Sequence, residues 1–79
     1  MPADSNQLAS IAYDAVNGIE TVEPNDRERL GYHIYLFLTG GFSSVKEAVL
    51  AARSRTIEND ERVVNTITAK LNEQGMLNR

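Results

Sequence analysis

Residues Ser43–Gly75, SSVKEAVLAARSRTIENDERVVNTITAKLNEQG, decide the fold. They read as two short helices joined by a turn. In the first, Val45, Ala48, Val49 and Ala52 recur at helical spacing, which predicts a helix over 44–52. Ser44 and Glu47 match a capping box, each side chain accepting a hydrogen bond from the other residue's free backbone N–H. RSRTIEN resists assignment and reads as an extended turn with Ile57 tucked in. The second helix is expected over 60–74, with Val63, Val64, Ile67 and Leu71 as its core stripe. Gly75 followed by Met76 has the form of a glycine stop with its hydrophobic contact.

Two more helices precede this pair. Leu8, Ile11, Ala12, Ala15 and Val16 predict a helix over 6–17, with Ser5 as its cap and Gly18 ending it in the left-handed conformation. Ile19 follows just past that end. ETVEPND is a connector in which Pro24 forbids a continuous helix. A helix over 26–39 follows, capped by Asn25 or Asp26. Leu30, Ile34, Phe37 and Leu38 form one face, and Tyr32, Tyr35 and Leu36 make the opposite face apolar as well. A helix apolar all round is usually a central one. Gly40-Gly41 stops it. The expected fold is therefore an all-α, four-helix compact domain over 6–77, with residues 1–5 disordered.

At 79 residues the chain buries only about 60% of the surface its unfolded form exposes, so the core is modest. It contains no cysteine, which removes disulfides and thiolate metal sites. Apolar residues make up 42% and charged residues 24%, a balance that favours a folded domain over a disordered one. No run of about 18 apolar residues occurs, so no membrane span is expected. MPADSNQ has neither a basic patch nor an apolar segment, which is not the pattern of a secretion signal, and a cytoplasmic location is expected.

Chemistry has little to work with. His33 is the single histidine and is flanked by Tyr32 and Ile34, the setting of a partly buried helix histidine rather than a ligand or catalyst. LTGGFSS is glycine-rich before a helix but lacks the lysine of a phosphate loop and a preceding strand. A helix stop followed by an N-cap explains each of its residues. No enzyme, metal, cofactor or small-molecule ligand is expected.

Binding is the better prospect. Two helices joined by a turn and packed on an earlier helix form the pattern of a helix-turn-helix. Ala48 and Ala52 permit a close helix crossing, but about seven residues replace the usual tight turn. The last helix also opens with Glu58, Asp60 and Glu61, where a reading helix would approach phosphate. Carboxylates suit the positive end of a helix dipole, each contributing roughly 0.3–1 kcal/mol. They also repel a phosphate backbone, whose neutralisation by Lys and Arg normally supplies duplex affinity. Over residues 58–74 only Arg62 and Lys70 stand against four acids. Asn65, Thr66, Thr68 and Asn72 are of the right type to read bases, yet little would hold the duplex. No β-wing is expected, because only Asn78 and Arg79 follow Leu77. The net charge of −3 lies in the N-terminal third, where Asp4, Asp14, Glu20, Glu23 and Asp26 face no base at all. No basic arm or stripe is present.

The segment LGYHIYLFLTGGFSSVKEAVLAARSRTIENDERVVNTITAKLNEQGML resembles a proteobacterial helix-turn-helix variant family with a lengthened turn, found in regulators encoded on mobile elements. The resemblance spans roughly residues 26–77. It rests on the leucine-rich helix Leu30–Leu38, on GFSSVKEA, on the long turn, and on a last helix closing with LNEQG. In length, acidity and the lack of a second domain the chain is similar to the QseM-like antiactivators, which act in quorum sensing and restrain conjugative-element transfer. The resemblance implies a transcriptional antiactivator whose partner is a transcriptional activator protein. A stand-alone acidic copy would occupy the site where the activator's own helix-turn-helix domain docks. It departs from DNA-binding members in the lost basic face, so no DNA binding is expected.

The docking residues are read from physics instead. Tyr32, Tyr35 and Leu36 form the apolar second face of the helix expected over 26–39, and Tyr13 extends it, aromatics being enriched at interface centres. Burial of these side chains in the monomer core or in a homodimer is the competing reading. At the level of function, the alternatives are a small dimeric DNA-binding repressor and an immunity or antitoxin-type protein that matches a basic toxin.

Overall fold

The computed structural model describes residues 4–53 and 60–77. Four helices occur in it: α1 (Ser5–Asn17), α2 (Pro24–Leu38), α3 (Val45–Ala52) and α4 (Asp60–Glu73). No strand is present among the described residues. The all-α, four-helix expectation holds. Ile57 and Glu58 lie outside the described residues.

The helix starts differ from expectation in ways that follow from backbone chemistry. Asp4, not Ser5, caps α1. Its Oδ1 accepts from the Gln7 N–H at 2.8 Å, and the Gln7 side-chain oxygen accepts from the Asp4 N–H at 3.3 Å, completing a reciprocal box. Helix α2 starts at Pro24, with Glu23 as N-cap and no side-chain cap bond. Proline ends a helix that reaches it from the N-terminal side, but at the first helical position its missing N–H costs nothing and its fixed φ is already helical. Ser44 caps α3 as expected, accepting from the Glu47 N–H at 3.1 Å. The Glu47 carboxylate, however, takes the hydroxyl of Ser43, so only half of the predicted box forms.

Two helices end in the same way. In α2 the Gly41 N–H donates to the Leu36 carbonyl at 2.6 Å and the Gly40 N–H to Phe37 at 3.0 Å, with Gly40 at φ +94°. In α4 the Met76 N–H donates to Leu71 at 3.1 Å and the Gly75 N–H to Asn72 at 3.0 Å, with Gly75 at φ +73°. Both are the paired 6→1 and 5→2 bonds of a Schellman stop. Gly18 is different. Its φ is −82°, an ordinary value, so the left-handed expectation fails there. What it faces instead is α4: a Cβ at Gly18 would lie 2.9 Å from Lys70 Cε.

The helices close a ring. Each packs on its chain neighbour, and α4 returns to pack on α1. Helix α2 is thus buried from two sides, by α1 and α3, which explains its wide apolar surface. The centre holds Ala12, Ala15 and Val16 of α1, Leu30 and Ile34 of α2, Val45, Ala48, Val49 and Ala52 of α3, and Val63, Ile67 and Leu71 of α4. Ile19 and Val22 seal it from the α1–α2 connector. No polar side chain is buried among the described residues. Ala48 and Ala52 are fully covered, as a close crossing of α3 requires. Val64 departs from the predicted stripe. It is only partly buried and sits at the edge of the α3–α4 contact.

Candidate protein-docking surface

The outer side of α2 carries the candidate surface. Side chains four residues apart share a helix face, so Glu28, Tyr32 and Leu36 stack along one line, with Tyr35 beside them. Tyr32 is 51% exposed, one of two large apolar side chains so exposed among the described residues. Its ring stands 6.4 Å from Tyr35, tilted by 31°, and 5.8 Å from the imidazole of His33, edge-on at 87°. His33 in turn stacks on Phe42 of the α2–α3 connector at 5.8 Å and 25°. Four rings therefore run in a chain across the outside of α2. On an exposed helix surface a pair three residues apart, such as Tyr32 and Tyr35, contributes only about 0.2–0.5 kcal/mol.

His33 is held from two sides. Its Nδ1 lies 2.9 Å from the Arg29 carbonyl oxygen. A carbonyl only accepts, so Nδ1 carries the proton and donates. The ring is thereby fixed in plane against Phe42. Among the described residues no group of three His, Asp or Glu side chains is placed to hold a metal ion.

The four sequence-predicted docking residues separate into distinct environments. Tyr32 is exposed. Tyr35 is half-buried and packs against the core, and Leu36 is half-buried. Tyr13 lies over Gly31 of α2, where a Cβ would come within 2.4 Å of Tyr13 Cδ1. Much of that ring is therefore spent on the α1–α2 contact. Its remaining edge lines a hollow of about 400 Å³ with Asn17, Pro24, Arg27 and Glu28. Arg27 is anchored there by an Nε–H bond of 3.1 Å to the Val22 carbonyl. Glu28, at the edge of this hollow, lies one helical turn before Tyr32 on α2.

The acidic end of α4 is a second feature. Asp60 pairs with Arg53 at 2.9 Å, the two side chains being 25% and 50% exposed. Glu61 is exposed. Of the residues of base-reading type, Thr68 is used internally, its hydroxyl donating to the Val64 carbonyl at 2.7 Å. Asn65 and Asn72 remain exposed. Between α3 and α4 runs a groove of about 490 Å³ lined by Lys46, Leu50, Asp60, Glu61, Val64 and Asn65.

Sequence reasoning missed three of these participants. Phe42 sits in a glycine-rich connector, where no periodicity marks it. Gly31 carried a signal that went unread, since a glycine inside a helix costs about 1 kcal/mol against alanine and calls for a packing reason. Leu50 stands off the α3 core stripe, and an off-stripe leucine on a short helix marks an exposed apolar side chain. It is 46% exposed.

No protein-family model, curated protein or solved structure matches this chain.

Proposed function

We propose that the chain is a small protein-binding regulator, a transcriptional antiactivator that covers the docking site of a transcriptional activator protein. The observation that carries this reading is the half-exposed Tyr32 within the four-ring chain on α2, between Tyr35 and His33. An aromatic ring with a rigid, already packed neighbourhood loses little conformational entropy on binding and supplies a large contact area. Tyr35 and Leu36 flank it as half-buried supports, and Tyr13 contributes its free edge. In this reading α3 and α4 are the helix pair of a helix-turn-helix variant whose electrostatics oppose DNA. Asp60 and Glu61 stand at the opening of α4.

The test is a matched pair of capture experiments. Immobilised wild-type chain and the Tyr32→Ala variant are each offered a cytoplasmic extract and then the purified activator that the wild type enriches. The reading expects an activator bound by the wild type and lost from the variant, with no duplex shift. Retention of a random duplex at low salt with a Kd below about 10⁻⁴ M, the weak end of non-specific binding, would favour the DNA-binding repressor instead. Enrichment of a strongly basic toxin in place of an activator would favour the immunity reading.

A further inference from the structure

Asn17 and Gly18 stand where α1 ends, and they form the single Asn-Gly step among the seven asparagines of the chain. Both are exposed, between buried Val16 and buried Ile19. This end is closed less firmly than its counterparts. The Ile19 N–H donates to the Val16 carbonyl at 3.0 Å, one 3₁₀-type bond, whereas α2 and α4 close on the paired bonds of a Schellman stop. Gly18 has no Cβ to shield its backbone nitrogen, and helix ends open before helix centres. Lys70 of α4 lies against the same residue, since a Cβ at Gly18 would be 3.2 Å from the Lys70 Nζ.

We propose that Asn17–Gly18 is a self-modifying site at which the folded chain deamidates, with the Lys70 ammonium promoting the step. When the last turn of α1 opens, Asn17 leaves its helical ψ and the Gly18 nitrogen reaches the Asn17 side chain. That nitrogen gives up its proton and attacks Cγ. The N–Cγ bond forms, the Cγ–Nδ2 bond breaks, and the side-chain nitrogen takes up a proton and leaves as ammonia. Solvent water then opens the five-membered succinimide at either carbonyl. Opening at Cγ gives aspartate; opening at the main-chain carbon gives isoaspartate, with the chain running through the side-chain carbon. A positive charge beside the attacking nitrogen favours its deprotonated form and the oxyanion of the tetrahedral intermediate.

The product alters a junction that matters to the fold. Its new carboxylate stands at the negative end of the α1 dipole, where an anion is unfavourable. Ile19 and Val22, which seal the core from the α1–α2 connector, follow directly. Isoaspartate also adds a backbone carbon at the last residue of α1. Asn17 lines the hollow that holds Tyr13, Pro24, Arg27 and Glu28, so the change is felt at the α1–α2 contact. The modification is irreversible and loosens that contact with the age of the molecule.

The test follows the purified full chain in mildly alkaline buffer at physiological temperature, folded and in urea. Deamidation raises the intact mass by about 1 Da. Electron-transfer fragmentation places the change and separates aspartate from isoaspartate. The folded chain should gain this mass at Asn17 ahead of the other six asparagines, each of which is followed by a residue with a Cβ. Gly18→Ala should slow the gain by at least about tenfold, because the added Cβ shields the nitrogen. Asn17→Gln, which needs a six-membered ring, should not show it. Lys70→Gln should slow it by about threefold and Lys70→Arg should restore it. Asn17→Asp should lower the Tm by a few degrees.

A folded chain that stays unmodified at Asn17 overturns the proposal, most plainly if the chain in urea is modified there, since α1 would then protect the site. A first modification at another asparagine overturns it as well. Equal rates in Lys70→Gln and the wild type would remove Lys70 from the step. A wild-type Tm in Asn17→Asp would contradict the loosening of the α1–α2 contact.

Discussion

The ring of Tyr13 occupies the space that a Cβ at residue 31 would need: an alanine methyl there would sit 2.4 Å from Cδ1 and 2.7 Å from Cε1 of Tyr13. Gly31 is fully buried within α2, so its lack of a side chain sets how closely α1 and α2 approach. Helical propensity alone would favour alanine by about 1 kcal/mol. The steric clash works the other way, since overpacking a filled site typically costs 1–3 kcal/mol. Gly31→Ala is therefore expected to destabilise. In a Tyr13→Ala background the clash is gone, and the same substitution should become neutral or stabilising. Urea unfolding of the four chains of this cycle checks it. A Gly31→Ala chain more stable than the wild type would show that Tyr13 moves aside freely.

The glycines that end helices give a contrasting pair. Gly40 has φ +94° and open space around it, so only backbone strain penalises alanine there. A left-handed non-glycine residue costs roughly 1–2 kcal/mol, which is about 4–16 °C in Tm for a domain of this size. Gly18 has φ −82°, and alanine would meet only the flexible tip of Lys70. Gly18→Ala is expected to be neutral or to stabilise by up to about 1 kcal/mol through the unfolded state. Thermal melts of the two variants should move in opposite directions or differ by several degrees. Equal losses would mean that Lys70 is fixed against Gly18.

Capping offers a second contrast. Asp4 accepts the Gln7 N–H at 2.8 Å, whereas Ser5 is simply the first residue of α1. Asp4→Ala should cost about 0.5–2 kcal/mol and Ser5→Ala only a few tenths. Denaturant midpoints of the two variants distinguish them. A larger loss from Ser5→Ala would place the helix start one residue later.

Much of this architecture was legible in the sequence, and the failures have local physical causes. The stripes Ala12–Ala15–Val16 and Val63–Ile67–Leu71 follow the 3.6 period because burial on one side enforces it. The stops at Gly40 and Gly75 were legible because a positive φ selects glycine. The starts of α1 and α2 were missed because Asp4 and Ser5 are both competent caps and because Pro24 both breaks and begins helices. Tyr13, Tyr35 and Leu36 read as one apolar face because periodicity counts hydrophobic residues without knowing which neighbours cover them. Only the ring packing of α1, α2 and α3 separates half-buried Tyr35 from exposed Tyr32.

The acids that open α4 bear on DNA. Replacing Asp60 and Glu61 with lysine removes two repulsive charges and adds two that neutralise phosphate. Each new phosphate contact steepens the slope of log affinity against log salt by about 0.9. The Asp60→Lys/Glu61→Lys chain should therefore bind random duplex more tightly than the wild type, with a steeper salt dependence. It also loses the Arg53–Asp60 pair, a partly exposed contact whose removal should cost at most about 1 kcal/mol. Gel shifts across a salt series measure the first effect. Unchanged duplex binding would mean that this end of α4 does not face DNA in any encounter.

The central claim is that the aromatic outer face of α2 is a protein-docking surface with the exposed Tyr32 as its anchor. The direct measurement is the affinity of the Tyr32→Ala chain for the captured activator, taken together with its Tm. Truncation of a central aromatic anchor typically costs 2 kcal/mol or more in binding, about thirtyfold in Kd. Because Tyr32 is 51% exposed, its removal should leave the Tm within a few degrees of the wild type. A thirtyfold loss of affinity at nearly constant Tm is the predicted result. Full affinity in the Tyr32→Ala chain, with its fold intact, would contradict the account.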